Sequence, residues 1–115
     1  MQPALSDLER LEAHFQSAMS ARKDIRWSGL LVEYPEPVSA LMLYLAEPPW
    51  CDFDYDPCDT ERILGRMATA DMAEVRSVLT AMFRCERFCD GGWEGALGDG
   101  TLASAVARAR ELVTT

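Results

Sequence analysis

Apolar residues recur along most of this chain at the three- and four-residue intervals of a helix, and no alternation lasts long enough to build a sheet. Leu5, Leu8, Leu11, Phe15 and Met19 make the first stripe, and Ser6 with Glu9 three residues later reads as a capping box at its start. Residues 20–37, with Trp27, Gly29 and two prolines, break the period. Within them Leu30-Leu31-Val32 fits either a short strand or an extended apolar anchor. Pro37 suits a first helical turn. Val38, Leu41, Met42 and Leu45 follow at i, i+3, i+4 and i+7 before Pro48-Pro49 ends the helix.

Further along, Asp59 or Thr60 caps a short helix that turns Ile63, Leu64 and Met67 inward. Thr69 is the expected cap of the next helix, whose face of Met72, Val75, Leu79, Met82 and Phe83 is the clearest amphipathic pattern in the chain. It is expected to end near Cys89, where Asp90-Gly91-Gly92 breaks and recaps the backbone ahead of Trp93 and Leu97. Gly98-Asp99-Gly100 composes a turn. Thr101 then caps a last helix facing the core with Leu102, Ala105, Val106, Ala109, Leu112 and Val113. The expectation is all-α: a compact single-domain bundle of about five helices, with a short sixth over residues 92–97. An irregular aromatic and acidic loop joins the second helix to the third.

Composition narrows the function. At 115 residues and 49% hydrophobic content the chain is one domain with a real core and is not intrinsically disordered. Eleven Lys and Arg against 19 Asp and Glu leave a formal net charge of −8. Affinity for a phosphate backbone comes from counterion release by basic side chains, so direct nucleic-acid binding is disfavoured. A basic protein surface, including one that normally holds nucleic acid, is the complementary partner. The longest apolar run, residues 38–46, falls far short of the roughly 20 residues a bilayer span needs, so no membrane partner is expected. The first ten residues have neither a basic nor an apolar leader region. A cytoplasmic protein with Cys51, Cys58, Cys85 and Cys89 as reduced thiols is the reading.

Residues 47–61 concentrate the charge. They hold six carboxylates and no Lys or Arg, with Asp52, Asp54 and Asp56 alternating with Phe53 and Tyr55. Adjacent carboxylates repel, so folding gains nothing from the arrangement unless a cation or basic surface compensates. Aromatic anchors interleaved with charge are common at interfaces. Trp50, Asp52, Asp54, Tyr55, Asp56, Asp59 and Glu61 are therefore the candidate partner-binding residues. The bland alternative is that the aromatics turn inward to roof the bundle while the aspartates are merely solvated.

No catalytic set is legible. The single histidine, His14, lies within the first amphipathic stripe and reads as a helix-surface or boundary residue rather than a base. Cys51 and Cys58 are too far apart for a zinc knuckle, and buried apolar thiols are the simpler reading. Asp52, Asp54 and Asp56 imitate the first half of an EF-hand loop, but Pro57 stands where Gly is needed and Ile63 where the bidentate Glu belongs. The glycine-rich stretches put carboxylates where a phosphate would sit. No catalytic residue, metal or cofactor is assigned.

The segment over residues 85–93, Cys85-Glu86-Arg87-Phe88-Cys89-Asp90-Gly91-Gly92-Trp93, resembles an uncharacterised bacterial and phage domain family with a G-E-R-F-C-D-G-H-W-like motif. Cys85 stands where that family usually has Gly, and Gly92 where it often has His. The resemblance implies a compact, mainly helical domain and no assigned activity. Physically the motif reads as structural. Arg84, Glu86 and Arg87 are placed for ion pairs at a helix end, Phe88 and Trp93 for packing beside the turn, Asp90 for a cap, and Gly91 or Gly92 for a positive φ.

These readings converge on a small acidic protein-binding module. Its sharper form is a phage or mobile-element inhibitor of a nucleic-acid-binding defence complex, of the anti-CRISPR type, working by charge mimicry. The competing classes are a bacterial regulatory or housekeeping helical domain, which leaves self-association open, and a metal-binding protein or enzyme without a legible motif.

Overall fold

The computed structural model describes residues 2–52, 54–87 and 91–115, the side chain of Arg87 excepted. Six helices carry the fold: α1 (Leu5–Ala21), α2 (Glu36–Leu45), α3 (Thr60–Leu64), α4 (Met72–Arg84), α5 (Gly92–Gly98) and α6 (Thr101–Thr114). Four single 3-10 turns and one two-stranded hairpin, β1 (Arg26–Ser28) with β2 (Leu31–Glu33), complete the described elements. The all-α expectation holds, and the short sixth helix is present.

α1 lies along α2, α4 packs on α6, and α6 returns against α1. Between them sits one core built from the predicted faces: Leu8 and Leu11; Val38, Leu41, Met42 and Leu45; Val75 and Leu79, with Val78 added beside them; Leu102, Ala105, Val106 and Ala109. Burying each Leu or Val fully stabilises the fold by about 1.5–3 kcal/mol relative to leaving it exposed. Phe15, Met19, Met82, Phe83, Leu112 and Val113 close the rim, partly buried. Leu5, the first residue of the first stripe, is instead half exposed, at the first position of α1.

The caps differ from the sequence reading at α1, α4 and α6, whereas α3 starts where expected, at Thr60 with Asp59 as its N-cap residue. α1 begins at Leu5, so Ser6 lies inside it; Asp7 Oδ2 accepts the Ala4 N–H at 2.8 Å, half of a capping box. Neither Asp59 nor Thr60 caps α3 through its side chain; Asp56 Oδ1 accepts the Cys58 N–H at 2.9 Å at the turn before it. Thr69 donates its hydroxyl to the Arg66 carbonyl, and Asp71 caps α4 in a complete box with Glu74, at 2.8 and 3.0 Å. Asp99, not Thr101, receives the first free N–H of α6. Several Ser, Thr and Asp residues compete at each of these ends, and the turn geometry selects among them.

α4 ends at Arg84 and passes into a 3-10 turn over Cys85–Arg87, earlier than the expected end near Cys89. Phe53, Phe88, Cys89 and Asp90 lie outside the described residues, as do the expectations attached to them. The Leu30-Leu31-Val32 segment resolves into a hairpin rather than an inward anchor. Gly29 at φ +64° occupies the first position of a two-residue turn, which needs a left-handed residue there. Leu30 and Leu31 consequently face solvent, 87% and 67% exposed.

Candidate functional site

The acidic loop is anchored from beneath before it displays any charge. Trp50 is fully buried, and its Nε1–H donates to the Tyr44 hydroxyl at 3.1 Å, which in turn donates to the Asp7 carbonyl. Trp50 is thus a core residue roofing α1 and α2, and it presents no surface to a partner. Cys51 follows it into the interior, where desolvation pushes the thiol pKa up. The Cys51 carbonyl accepts Arg76 Nη2 at 2.9 Å, and the Asp52 N–H donates to Thr80 Oγ1 at 2.8 Å. Two residues of α4 therefore hold the start of the loop by its main chain.

Beyond that anchor the carboxylates divide by role. Asp52 is half buried; its Oδ1 accepts the Asp54 N–H at 3.0 Å, and Ser77 Oγ lies 3.4 Å from Oδ2. Asp56 spends one oxygen on the Cys58 N–H. Asp59 makes a two-pronged ion pair with Arg62, at 3.3 and 3.0 Å, which holds its carboxyl below the usual carboxylate range. Glu47, Asp54, Asp56 and Glu61 are exposed, and among the described residues none of the four is ion-paired. Tyr55 is half buried, with the Arg84 guanidinium 5.5 Å from its ring centroid.

The loop's repulsion is therefore relieved partly from within. Arg62 follows in sequence, while Arg76 and Arg84 arrive from α4, Arg76 meeting a residue 25 positions before it in the chain. Arg76, Thr80 and Arg84 are the functional neighbours that reading the loop alone misses. Nothing in their local pattern marks them, because each is an ordinary polar position on an amphipathic helix.

The second polar cluster surrounds the 85–93 motif, and Glu86 is its centre. Its carboxylate accepts the Tyr34 hydroxyl at 2.7 Å, the Gly91 N–H at 2.9 Å and the Trp93 N–H at 3.1 Å. Among the described groups Glu86 is thus held by hydrogen bonds, not by the ion pairs expected at this helix end, and Arg84 turns to Tyr55 instead. Trp93 packs its ring on Tyr34, centroids 5.0 Å apart, and donates Nε1–H to the Phe83 carbonyl at 2.8 Å. Burial, together with the Glu86 carboxylate, raises the Tyr34 pKa well above the ordinary tyrosine value.

Trp27 joins the hairpin to the same cluster, donating Nε1–H to Glu94 Oε1 at 3.1 Å. Gly91, at φ +89°, is the residue over which Trp27 lies; a Cβ there would stand 2.7 Å from the indole. The two departures from the family-like pattern also touch each other. A Cβ on residue 92 would stand 2.7 Å from Cys85 Sγ, so the larger side chain at 85 is accommodated by the absence of one at 92. The cluster's arrangement is that of a clasp between the hairpin and the α4–α5 junction.

His14 is half buried and stacks on Tyr44, centroids 4.7 Å apart, and the Arg10 guanidinium lies 5.0 Å from the same ring's centroid. It lies midway along α1 at the margin between its buried and exposed faces, as its place in the first stripe implies. No group of three or more His, Cys, Asp or Glu among the described residues is arranged to hold a metal ion. No described helix is long and apolar enough to cross a membrane.

No curated protein and no solved structure matches this chain. A family model described as a family of unknown function, DUF6508, matches residues 8–115. The match takes in the hairpin, the acidic loop and the motif around Glu86, in keeping with the resemblance to an uncharacterised domain family. The chain belongs to the DUF6508 family.

Proposed function

We propose that this protein is a non-enzymatic, cytoplasmic binding module whose acidic loop engages a basic surface on a partner protein. The observation that carries the reading is the contrast within the loop. Its main chain is held by Arg76, Thr80 and the buried Trp50, while Glu47, Asp54, Asp56 and Glu61 stand exposed without an ion-pair partner among the described residues. A carboxylate array held on a rigid base loses little conformational entropy on association, so its charge goes into steering and register. Tyr55 and the half-exposed Asp59 complete the binding face; Trp50 acts as its internal support.

In its sharper form, the partner is a nucleic-acid-binding defence complex and the protein is its phage or mobile-element inhibitor, occupying a site otherwise filled by phosphates. The small size and the net charge of −8 support this form. The deciding experiment measures binding to a candidate basic nucleoprotein complex with and without its DNA or RNA. Competition with the nucleic acid, steep weakening by salt, and loss of affinity in Asp54→Asn/Asp56→Asn/Glu61→Gln support the proposal. Binding that is indifferent to all three overturns it.

A further inference from the structure

A cavity of about 420 Å³ opens where the end of α1 meets α5, lined by Met19, Ser20, Arg22, Lys23, Ile25 and Glu94. That volume suits a small ligand. Arg22 and Lys23 differ from every other cationic side chain that the structure describes. Each of the rest makes an ion pair, donates to a carbonyl or lies over an aromatic ring, and among the described residues these two do none of these. Nor does the end of α1 call on them as caps. The Arg22 N–H donates to the Met19 carbonyl and the Ile25 N–H to that of Arg22, while the Arg26 guanidinium takes the Lys23 and Ile25 carbonyls. Arg22 is also seated: its Nη2 lies over Gly98 of α5, where a Cβ would stand 3.0 Å away.

The same cavity holds one opposite charge, Glu94. Its Oε1 accepts the Trp27 Nε1–H at 3.1 Å, and no described hydrogen bond or ion pair uses Oε2. Glu94 is therefore not ion-paired with Arg22 or Lys23, although all three line one space. Half-buried Met19 and buried Ile25 add an apolar wall. A simple anion here would be repelled by Glu94, and a simple cation by Arg22 and Lys23. A molecule carrying both charges completes the site, and the planar guanidinium matches the two oxygens of a carboxylate. We infer that the cavity binds a small apolar amino acid, with its carboxylate on Arg22 and Lys23, its ammonium on Glu94 Oε2 and its side chain against Met19 and Ile25. No residue of the cavity belongs to the acidic loop, so the inference does not depend on the function proposed above.

Trp27 supplies the readout, because its indole N–H sits on the same carboxylate. Leucine titrated into the intact protein should shift the Trp27 indole N–H resonance saturably, with a Kd at or below about 1 mM. Leucinamide and isocaproate each keep only one of the two charges and should bind at least about tenfold more weakly. Arg22→Gln/Lys23→Gln changes two exposed side chains and should lower leucine affinity at least about tenfold with an unchanged melting temperature. Glu94→Gln keeps an acceptor for Trp27 and should weaken leucine while leaving isocaproate no weaker than before. The absence of a saturable shift up to about 50 mM leucine would overturn the inference. So would isocaproate or leucinamide binding as tightly as leucine, or leucine binding that survives unchanged in the Arg22→Gln/Lys23→Gln variant.

Discussion

Tyr34 and Glu86, 52 residues apart in the chain, share a 2.7 Å hydrogen bond that ties the end of the hairpin to the turn after α4. Because the same carboxylate also receives the Gly91 and Trp93 N–H groups, one side chain orders three segments. Tyr34→Phe removes the donor that satisfies a charged acceptor and should cost about 1–3 kcal/mol of folding stability. In a double-mutant cycle with Glu86→Gln the two losses should fall short of additive, since both break the same contact. Strict additivity in chemical denaturation would show that the pair is incidental.

The same pair sets an alkaline limit. The folded-state pKa of Tyr34 is raised, so its contribution is fully present below the ordinary tyrosine pKa of about 10 and is lost as pH climbs through the higher folded value. Wild-type stability should therefore decline above about pH 10 more steeply than that of Tyr34→Phe. Parallel pH profiles for the two proteins would contradict the assignment.

Gly92 and Cys85 form a second checkable pair. A His at residue 92 has no room while Cys85 Sγ occupies the space, so Gly92→His alone should destabilise by about 1–3 kcal/mol. Cys85→Gly/Gly92→His should recover part of that loss. A double variant as unstable as the sum of the singles would show that the contact does not govern the position.

In the core, Leu79 is fully buried on α4. Leu79→Ala should cost about 2–5 kcal/mol in thermal or denaturant unfolding. A loss below about 1 kcal/mol would mean that the α4 face is assigned wrongly.

The parts that were legible in sequence are those whose signal is local. The stripes of α2, α4 and α6 reappear as buried faces because a 3.6-residue period states which side of a helix lacks charge. A positive φ at Gly91 or Gly92 was legible because a Gly-Gly pair suits such a turn, and the structure puts it at Gly91. The cap positions were not legible, since Ser6, Thr69 and Thr101 each lie within two residues of the true N-cap position and spacing cannot rank them. Trp50 was misplaced on the binding face because its partner, the Tyr44 hydroxyl, lies on the preceding helix, and an aromatic amid aspartates looks exposed. Leu30 and Leu31 turned outward because Gly29 makes a tight turn, a fact of backbone geometry and not of hydrophobicity. The Glu86 hub depends on Tyr34, and no short-range pattern links them.

The central claim is that the exposed carboxylates of the loop recognise a basic partner while the loop's frame is held from within. Asp52→Asn/Asp54→Asn/Asp56→Asn tests both halves at once. Asn Oδ1 can still accept the Asp54 and Cys58 N–H groups that Asp52 and Asp56 accept now, so the frame should survive with an unchanged or slightly raised melting temperature. The decisive measurement is the association rate constant of this variant with a candidate nucleic-acid-binding complex, taken across a range of salt. The account predicts an association at least about tenfold slower than wild type at low salt, with a flattened salt dependence. A folded variant that associates at the wild-type rate and with the wild-type salt slope would contradict it, and would place the recognition face elsewhere on the molecule.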